Sequence, residues 1–122
     1  MIKILVADDD KLIRWSLKEI FSLEGFCVDT AASSLEAVQQ AGKEVYNLIF
    51  TDIEMDEENG ISTVVKMKAH QPTAKIIVLS ALSSQQIEIQ LDGLNIFAVL
   101  EKPFKPEDIL AIVQRAIGNR NE

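Results

Sequence analysis

The sequence predicts an α/β domain built on a parallel sheet. Three observations carry this expectation. Short apolar runs alternate along the chain with segments of helical period, the βαβ pattern of a parallel sheet. Four of those runs end in residues that carry chemistry. Ile4-Leu5-Val6-Ala7 runs into Asp8-Asp9-Asp10, Leu48-Ile49-Phe50 into Thr51 and Asp52, Ile76-Ile77-Val78-Leu79 into Ser80, and Phe97-Ala98-Val99-Leu100 towards Lys102-Pro103. The length of 122 residues suits one compact domain. In a parallel sheet all strand C-termini lie on one edge, and ligands bind in the crevice outside it. Three carboxylates, a hydroxyl and an ammonium are therefore expected to converge on one site.

The first strand is expected at about Lys3 to Ala7. The first helix covers about Lys11 to Leu23, with Ile13, Leu17, Ile20 and Phe21 on one face. Asp10 is placed to cap it and Gly25 to stop it. The second strand, about Phe26 to Ala31, is shorter and more polar, which places it near a sheet edge. Ser33 and Glu36 stand at capping-box spacing ahead of a second helix at about Leu35 to Lys43. The third strand is about Leu48 to Thr51. After the polar stretch from Glu54 to Asn59 and Gly60, the third helix runs from about Ile61 to His70, where Pro72 prevents its continuation. The fourth strand is about Lys75 to Leu79.

The next segment is ambiguous. Ile87, Ile89 and Leu91 alternate with polar residues, a strand period. A parallel connection between strands nonetheless needs a crossover, usually a helix. The expectation is therefore a fourth helix at about Ser84 to Leu91. The fifth strand is about Phe97 to Leu100. The fifth helix starts at Pro106, an apt first helical residue. Ile109, Leu110, Ile112, Val113 and Ile117 make its apolar face, and Gly118 ends it.

Composition narrows the function. At 48% hydrophobic and 25% charged the chain reads as an ordinary globular protein. It shows no signal peptide and no apolar run near ~18 residues, so no membrane span is expected. Cys27 is the lone cysteine, expected to be a buried small hydrophobe, and the picture fits a reducing cytoplasm. A net charge of −7 argues against direct nucleic-acid binding by this domain. Much of the excess sits in two loops, at Asp8, Asp9, Asp10, Asp52, Glu54, Asp56, Glu57 and Glu58. If the loops are neighbours, a divalent cation would relieve the crowding.

Hard cations such as Mg²⁺ take oxygen ligands, commonly one or two carboxylates with waters and phosphate oxygens. Asp8, Asp9 and Asp52 would supply them. Lys102 offers a point charge, and Ser80 a hydroxyl donor, to phosphoryl oxygens. A carboxylate can itself be the nucleophile and form an aspartyl phosphate. Phosphoryl transfer needs mostly positioning and charge neutralisation. Singly, each residue reads more simply. An Asp after a strand is usually a turn or cap residue, and a Lys-Pro is usually loop. Four strand ends carrying acid pair, acid, hydroxyl and lysine in that order make the joint reading the stronger one.

These pieces resemble the receiver domain of two-component response regulators, of the chemotaxis-receiver type. The matching stretches are Ile4 to Asp10, Thr51-Asp52-Ile53-Glu54-Met55 with Gly60, Ile76 to Ala81, and Glu101-Lys102-Pro103-Phe104, and the resemblance runs from Lys3 to about Asn119. It implies a flavodoxin-like (βα)5 three-layer sandwich with strand order 2-1-3-4-5. It puts Asp52 at the phosphoacceptor position and Asp8 and Asp9 at the acidic pair, with Asp9 favoured as the direct Mg²⁺ ligand. The backbone carbonyl of Glu54 would be the third protein ligand. Lys102 falls on the phosphate-binding lysine and Ser80 on the hydroxyl that follows the phosphoryl group, and the Lys102-Pro103 bond is implied to be cis. A sensor histidine kinase or phosphotransfer protein would be the donor, the fourth helix, fifth strand and fifth helix the switching face, and an output domain, a protein partner or a second copy the target. The domain would be a switch rather than a conventional enzyme.

The chain departs from the family pattern at three places. Asp56 stands where Pro commonly follows Met55, Lys105 where the fifth helix commonly has an acidic cap, and Val99 where an aromatic switch residue is common. With no ring at Val99, two routes remain. Phe97, two residues earlier and expected on the same strand face, would report the signal, or the fourth helix would move as a body; the second is preferred. Trp15, on the far side of its helix from Leu17 and Ile20, is expected to be at least partly exposed and to offer a contact for a kinase or phosphotransfer helix. Three rival readings share the fold: a flavin-binding electron carrier, whose phosphate the Asp8-Asp9-Asp10 loop would repel, a metal-dependent phosphatase, for which so short a chain leaves little room for a cap, and a degenerate receiver that only docks, against which the complete acid, hydroxyl and lysine set argues.

Overall fold

The computed structural model describes residues 1–55 and 60–118. Five parallel strands form one sheet in the order β2-β1-β3-β4-β5. They are β1 (Lys3–Ala7), β2 (Cys27–Ala31), β3 (Leu48–Asp52), β4 (Lys75–Ser80) and β5 (Ala98–Glu101). The helices are α1 (Lys11–Leu23), α2 (Ser34–Ala41), α3 (Gly60–His70), α4 (Ser84–Gln90) and α5 (Pro106–Ala116). The polar strand β2 is at an edge, as its composition implied.

The three central strands are buried on both faces, which is why they read as unbroken apolar runs. Ile49, Ile76 and Val78 pack in one cluster with Ala37, Val64, Met67, Ile87 and Leu91, on the α2, α3 and α4 side. Ile4, Val6, Phe50, Ile77 and Leu79 pack in another with Leu17, Phe21, Ile109 and Val113, on the α1 and α5 side. The sheet between two helical layers is the expected three-layer sandwich.

Local signals account for the element ends. Asp10 accepts the Leu12 N–H at 2.9 Å and caps α1, and Gly25, at φ 85°, follows its end. Ser33 Oγ accepts from Glu36 N–H at 3.1 Å, while the Glu36 carboxylate turns to the Ala32 N–H instead of completing a box. α4 has the full capping box between Ser83 and Gln86. Lys105 has no acceptor to offer α5, but Asp108 accepts the Lys105 N–H at 3.0 Å and supplies half a box.

Several boundaries and placements differ from expectation. β3 and β4 each run one residue further, so Asp52 and Ser80 are the last residues of their strands. α2 stops at Ala41, with Gly42 as its cap. Cys27 is half-buried, because edge strand β2 is only partly covered. Phe97 does not share the face of Val99. Val99 packs with the α4-side cluster and Phe97 with the α5-side cluster. The Phe97 ring lies 5.7 Å from both Lys75 Nζ and the Arg115 guanidinium. Phe97 precedes the first residue of β5, so strand alternation does not extend to it. Asp56, Glu57, Glu58 and Asn119 lie outside the described residues.

Candidate functional site

β1 and β3 are adjacent, with Ala7 opposite Thr51. Asp8 and Asp9 therefore leave β1 beside the point where β3 ends in Asp52. One ligand oxygen from each of Asp8, Asp9 and Asp52 lies within 4.8 Å of the others. Asp8 is fully buried and Asp52 is 4% exposed, while Asp9 is open to solvent. Lys102, carried in by the chain after β5, puts its Nζ 2.9 Å from Asp8 Oδ2 and 3.2 Å from Asp52 Oδ2. The Lys102-Pro103 bond is cis.

The remaining oxygens are held by backbone. Asp8 Oδ1 accepts the Asp10 N–H at 2.9 Å and Asp52 Oδ1 accepts the Glu54 N–H at 3.0 Å. Burial pushes the Asp52 carboxyl above its ordinary value; the Glu54 N–H opposes this, Asp8 adds to it, and Lys102 opposes it. Burial lowers Lys102, but the Asp8 and Asp52 carboxylates outweigh that and hold its ammonium above the usual lysine value. The cluster thus has more negative charge than one lysine neutralises. Its donors are hard carboxylate oxygens converging from two loops, the set that suits Mg²⁺ or Ca²⁺.

Gly60, the first residue of α3, lies against the backbone of the residue that follows Asp52. A Cβ there would fall 1.9 Å from the Ile53 carbonyl oxygen. Only glycine lets α3 begin so near the residue that follows Asp52.

Ser80 is also buried at this edge, one strand over. Its hydroxyl donates to Glu54 Oε2 at 2.6 Å, and the Ala81 N–H donates to Glu54 Oε1 at 3.0 Å. The sequence reading assigned Glu54 only its backbone and missed this side chain. It also missed Arg14, whose guanidinium donates to the Asp8 carbonyl at 2.9 Å and ties α1 to the acidic loop. Arg14 falls on the first turns of a helix that begins at the site, a position that could have drawn attention to it. Nothing in the sequence fixes where the Glu54 side chain lies.

The model of the response regulator receiver domain family matches residues 4–114. The chain belongs to this family. The receiver domain is 31% identical over 116 residues to the DNA-binding transcriptional regulator NtrC of Azospirillum brasilense, covering 95% of this chain and 24% of that protein. It therefore spans about a quarter of the length of that relative. In structure it is similar to a response regulator of Burkholderia pseudomallei with a phosphorylated aspartic acid, calcium ion and citrate, at 27% identity and TM-score 0.85, covering all of this chain and 76% of the other. It is also similar to the response regulator TrrA of Thermotoga maritima in complex with Mg²⁺ and beryllofluoride, at 30% identity and TM-score 0.83, covering 95% and 99%.

Three apolar surface features stand out. An apolar groove of about 600 Å³ runs between α1 and the chain after β5, lined by Leu12, Ile13, Ile20, Lys102, Pro103 and Phe104. Trp15, on the same helix, is 63% exposed, and Ile89 on α4 is 79% exposed. Among the described residues no helix is long and apolar enough to cross a membrane.

Proposed function

We propose that residues 1–122 form one receiver domain that takes a phosphoryl group on Asp52 from the phosphohistidine of a sensor histidine kinase or phosphotransfer protein. An Asp52 carboxylate oxygen attacks phosphorus, the P–O bond forms as the P–N bond breaks, and the electron pair returns to the imidazole. Asp8, Asp9, Asp52 and the Glu54 backbone carbonyl hold Mg²⁺, which supplies charge neutralisation at the phosphoryl oxygens. Lys102 bonds one phosphoryl oxygen and Ser80 another. The domain catalyses only its own phosphorylation and slow dephosphorylation.

One observation carries this reading: Asp52, nearly buried at the end of the central strand, is grouped with two more carboxylates and shares Lys102 with Asp8. The family and its phosphorylated and beryllofluoride-bound members support it. The exposed Trp15 and the adjoining groove offer a phosphotransfer helix its seat. The α4, β5 and α5 face then acts on an output domain, a protein partner or a second copy, with no nucleic-acid or membrane contact by this domain itself. Such a system operates in the cytoplasm.

Incubation with acetyl phosphate and Mg²⁺ tests the assignment. A stoichiometric, hydroxylamine-labile adduct is expected in the parent and none in Asp52→Asn. Full labelling of Asp52→Asn would place the acceptor elsewhere.

A further inference from the structure

The donors that would meet a phosphoryl group at the end of β4 already hold an anion of the protein's own. Both oxygens of the Glu54 carboxylate are engaged, one by the Ser80 hydroxyl at 2.6 Å and one by the Ala81 N–H at 3.0 Å. Hydrogen bonds to an ionised acceptor are short and strong, and here two of them act together. Ser80 is fully buried, and its hydroxyl oxygen accepts the Leu82 N–H at 2.9 Å, which directs its own proton towards Glu54. The Glu54 backbone N–H at the same time donates to Asp52. The residue is thus pinned to Asp52 by its backbone, and its side chain spans to β4.

A carboxylate and a phosphoryl group make the same demand: anionic oxygens that accept from N–H and O–H donors. We propose that Glu54 is an internal stand-in for the phosphoryl group, occupying the Ser80 and Ala81 donors in the unmodified protein and vacating them when Asp52 is phosphorylated. The proposal rests on the phosphoacceptor reading of Asp52. The exchange breaks and makes only hydrogen bonds, and Glu54, already on the solvent side, departs as a hydrated carboxylate. Because the two anions compete for one set of donors, Glu54 stabilises the resting state and weakens any phosphoryl mimic by the same factor. Substituting its side chain leaves the backbone carbonyl and N–H in place.

Beryllofluoride in excess Mg²⁺ is the probe, titrated calorimetrically into the parent, Glu54→Ala and Glu54→Gln. Alanine frees the donors outright. Glutamine keeps the reach and one acceptor oxygen but loses the charge. The expected order of affinity is alanine, glutamine, parent, with alanine about tenfold tighter and glutamine about threefold tighter than the parent, the scale of a surrendered charge-assisted hydrogen bond. The order should persist at about 1 M salt, where the screening length is about 3 Å. In the free proteins, without metal or beryllofluoride, the Ala81 amide proton should move upfield in Glu54→Ala. A parent that binds beryllofluoride and forms the adduct, beside a Glu54→Ala of unchanged affinity, would overturn the stand-in alone. Equal gains in both variants that vanish at high salt would overturn it too, leaving only a general charge effect. A parent that neither binds nor labels would overturn the phosphoacceptor reading and the stand-in with it.

Discussion

Replacing Asp52 by Asn should make the metal-free protein more stable, not less. The ligand oxygens of Asp8, Asp9 and Asp52 lie within 4.8 Å, so at an effective dielectric of about 20 each ionised pair repels by at least about 3.5 kcal/mol. Lys102 at 3.2 Å returns about 5 kcal/mol to Asp52 on the same scale, but it is shared with Asp8. Repulsion from Asp8 takes back most of that attraction, exposed Asp9 adds a screened share, and burial of the Asp52 charge adds more. Burial and Asp8 together outweigh the Glu54 N–H and Lys102, so ionised Asp52 is unfavourable on balance, and the Asp52→Asn variant should gain on the order of 1 kcal/mol, the scale of a single substitution, in urea unfolding at neutral pH. The pH dependence follows in sign. The folded-state carboxyl titrates above its ordinary value of 3.8, so the folded state binds the proton more tightly than the unfolded one. Parent stability therefore falls as pH rises from 3.8 through the folded value, and the gain from Asp52→Asn appears over that window and is absent below it. Mg²⁺ at about a hundredfold its dissociation constant should add about 2.7 kcal/mol to the parent and much less to the variant. A variant less stable than the parent at neutral pH without metal, or one stabilised equally by Mg²⁺, would refute the charge-crowding argument.

Four further outcomes are expected. Lys102→Met should cost about 3 kcal/mol in urea unfolding, by leaving Asp8 and Asp52 without their cation, and Mg²⁺ should restore part of it; a neutral substitution would mean the lysine pairs only loosely. Gly60→Ala should cost about 1–3 kcal/mol and slow labelling by acetyl phosphate, since the new Cβ meets the Ile53 carbonyl; a parent-like melt and labelling rate would contradict the close approach. Trp15→Ala should leave stability within about 0.5 kcal/mol and slow transfer from the phosphohistidine donor; unchanged transfer would remove Trp15 from the docking surface. Beryllofluoride should shift NMR resonances of residues 82–92 strongly while Phe97 keeps its rotamer, and a quiet α4 beside a flipped Phe97 would reverse the proposed route.

The sheet was legible because β1, β3 and β4 are buried on both faces and so appear as continuous apolar runs ending in polar chemistry. The carboxylate cluster and Lys102 were legible for the same reason, since parallel strand ends share an edge. α4 was nearly misread. Ile87 and Leu91 are buried, four residues apart, and Ile89 between them points out, so an accidental alternation mimicked a strand. The Ser83 and Gln86 pair was the better signal. Phe97 was misplaced by extending strand alternation one residue beyond where β5 begins. The Glu54 clamp was invisible because its partners, Ser80 and Ala81, are brought to it by the neighbouring strand and not by sequence spacing.

Hydrogen bonds at the edge of the sheet offer a route from the site to α4 that needs no aromatic ring. Glu54 joins the end of β3 to Ser80 and Ala81 at the end of β4. The Ser80 carbonyl accepts the Lys102 N–H at 2.7 Å, joining β4 to the chain that carries the lysine. Next to that lysine, Glu101 accepts the Ser84 N–H at 2.8 Å and holds the first turn of α4. Below this turn α4 is short and rests on Ile87 and Leu91, with Val99 against the same cluster. So few buried contacts make α4 one of the elements that reposition at low cost. Val99, stiff and branched, fills its place under α4 without an alternative rotamer of consequence. Phe97 is engaged elsewhere, between Lys75 and Arg115. Drawing Ser80 away from Glu54 therefore acts on the β4–α4 connection directly, and movement of α4 as a body is the response these contacts favour.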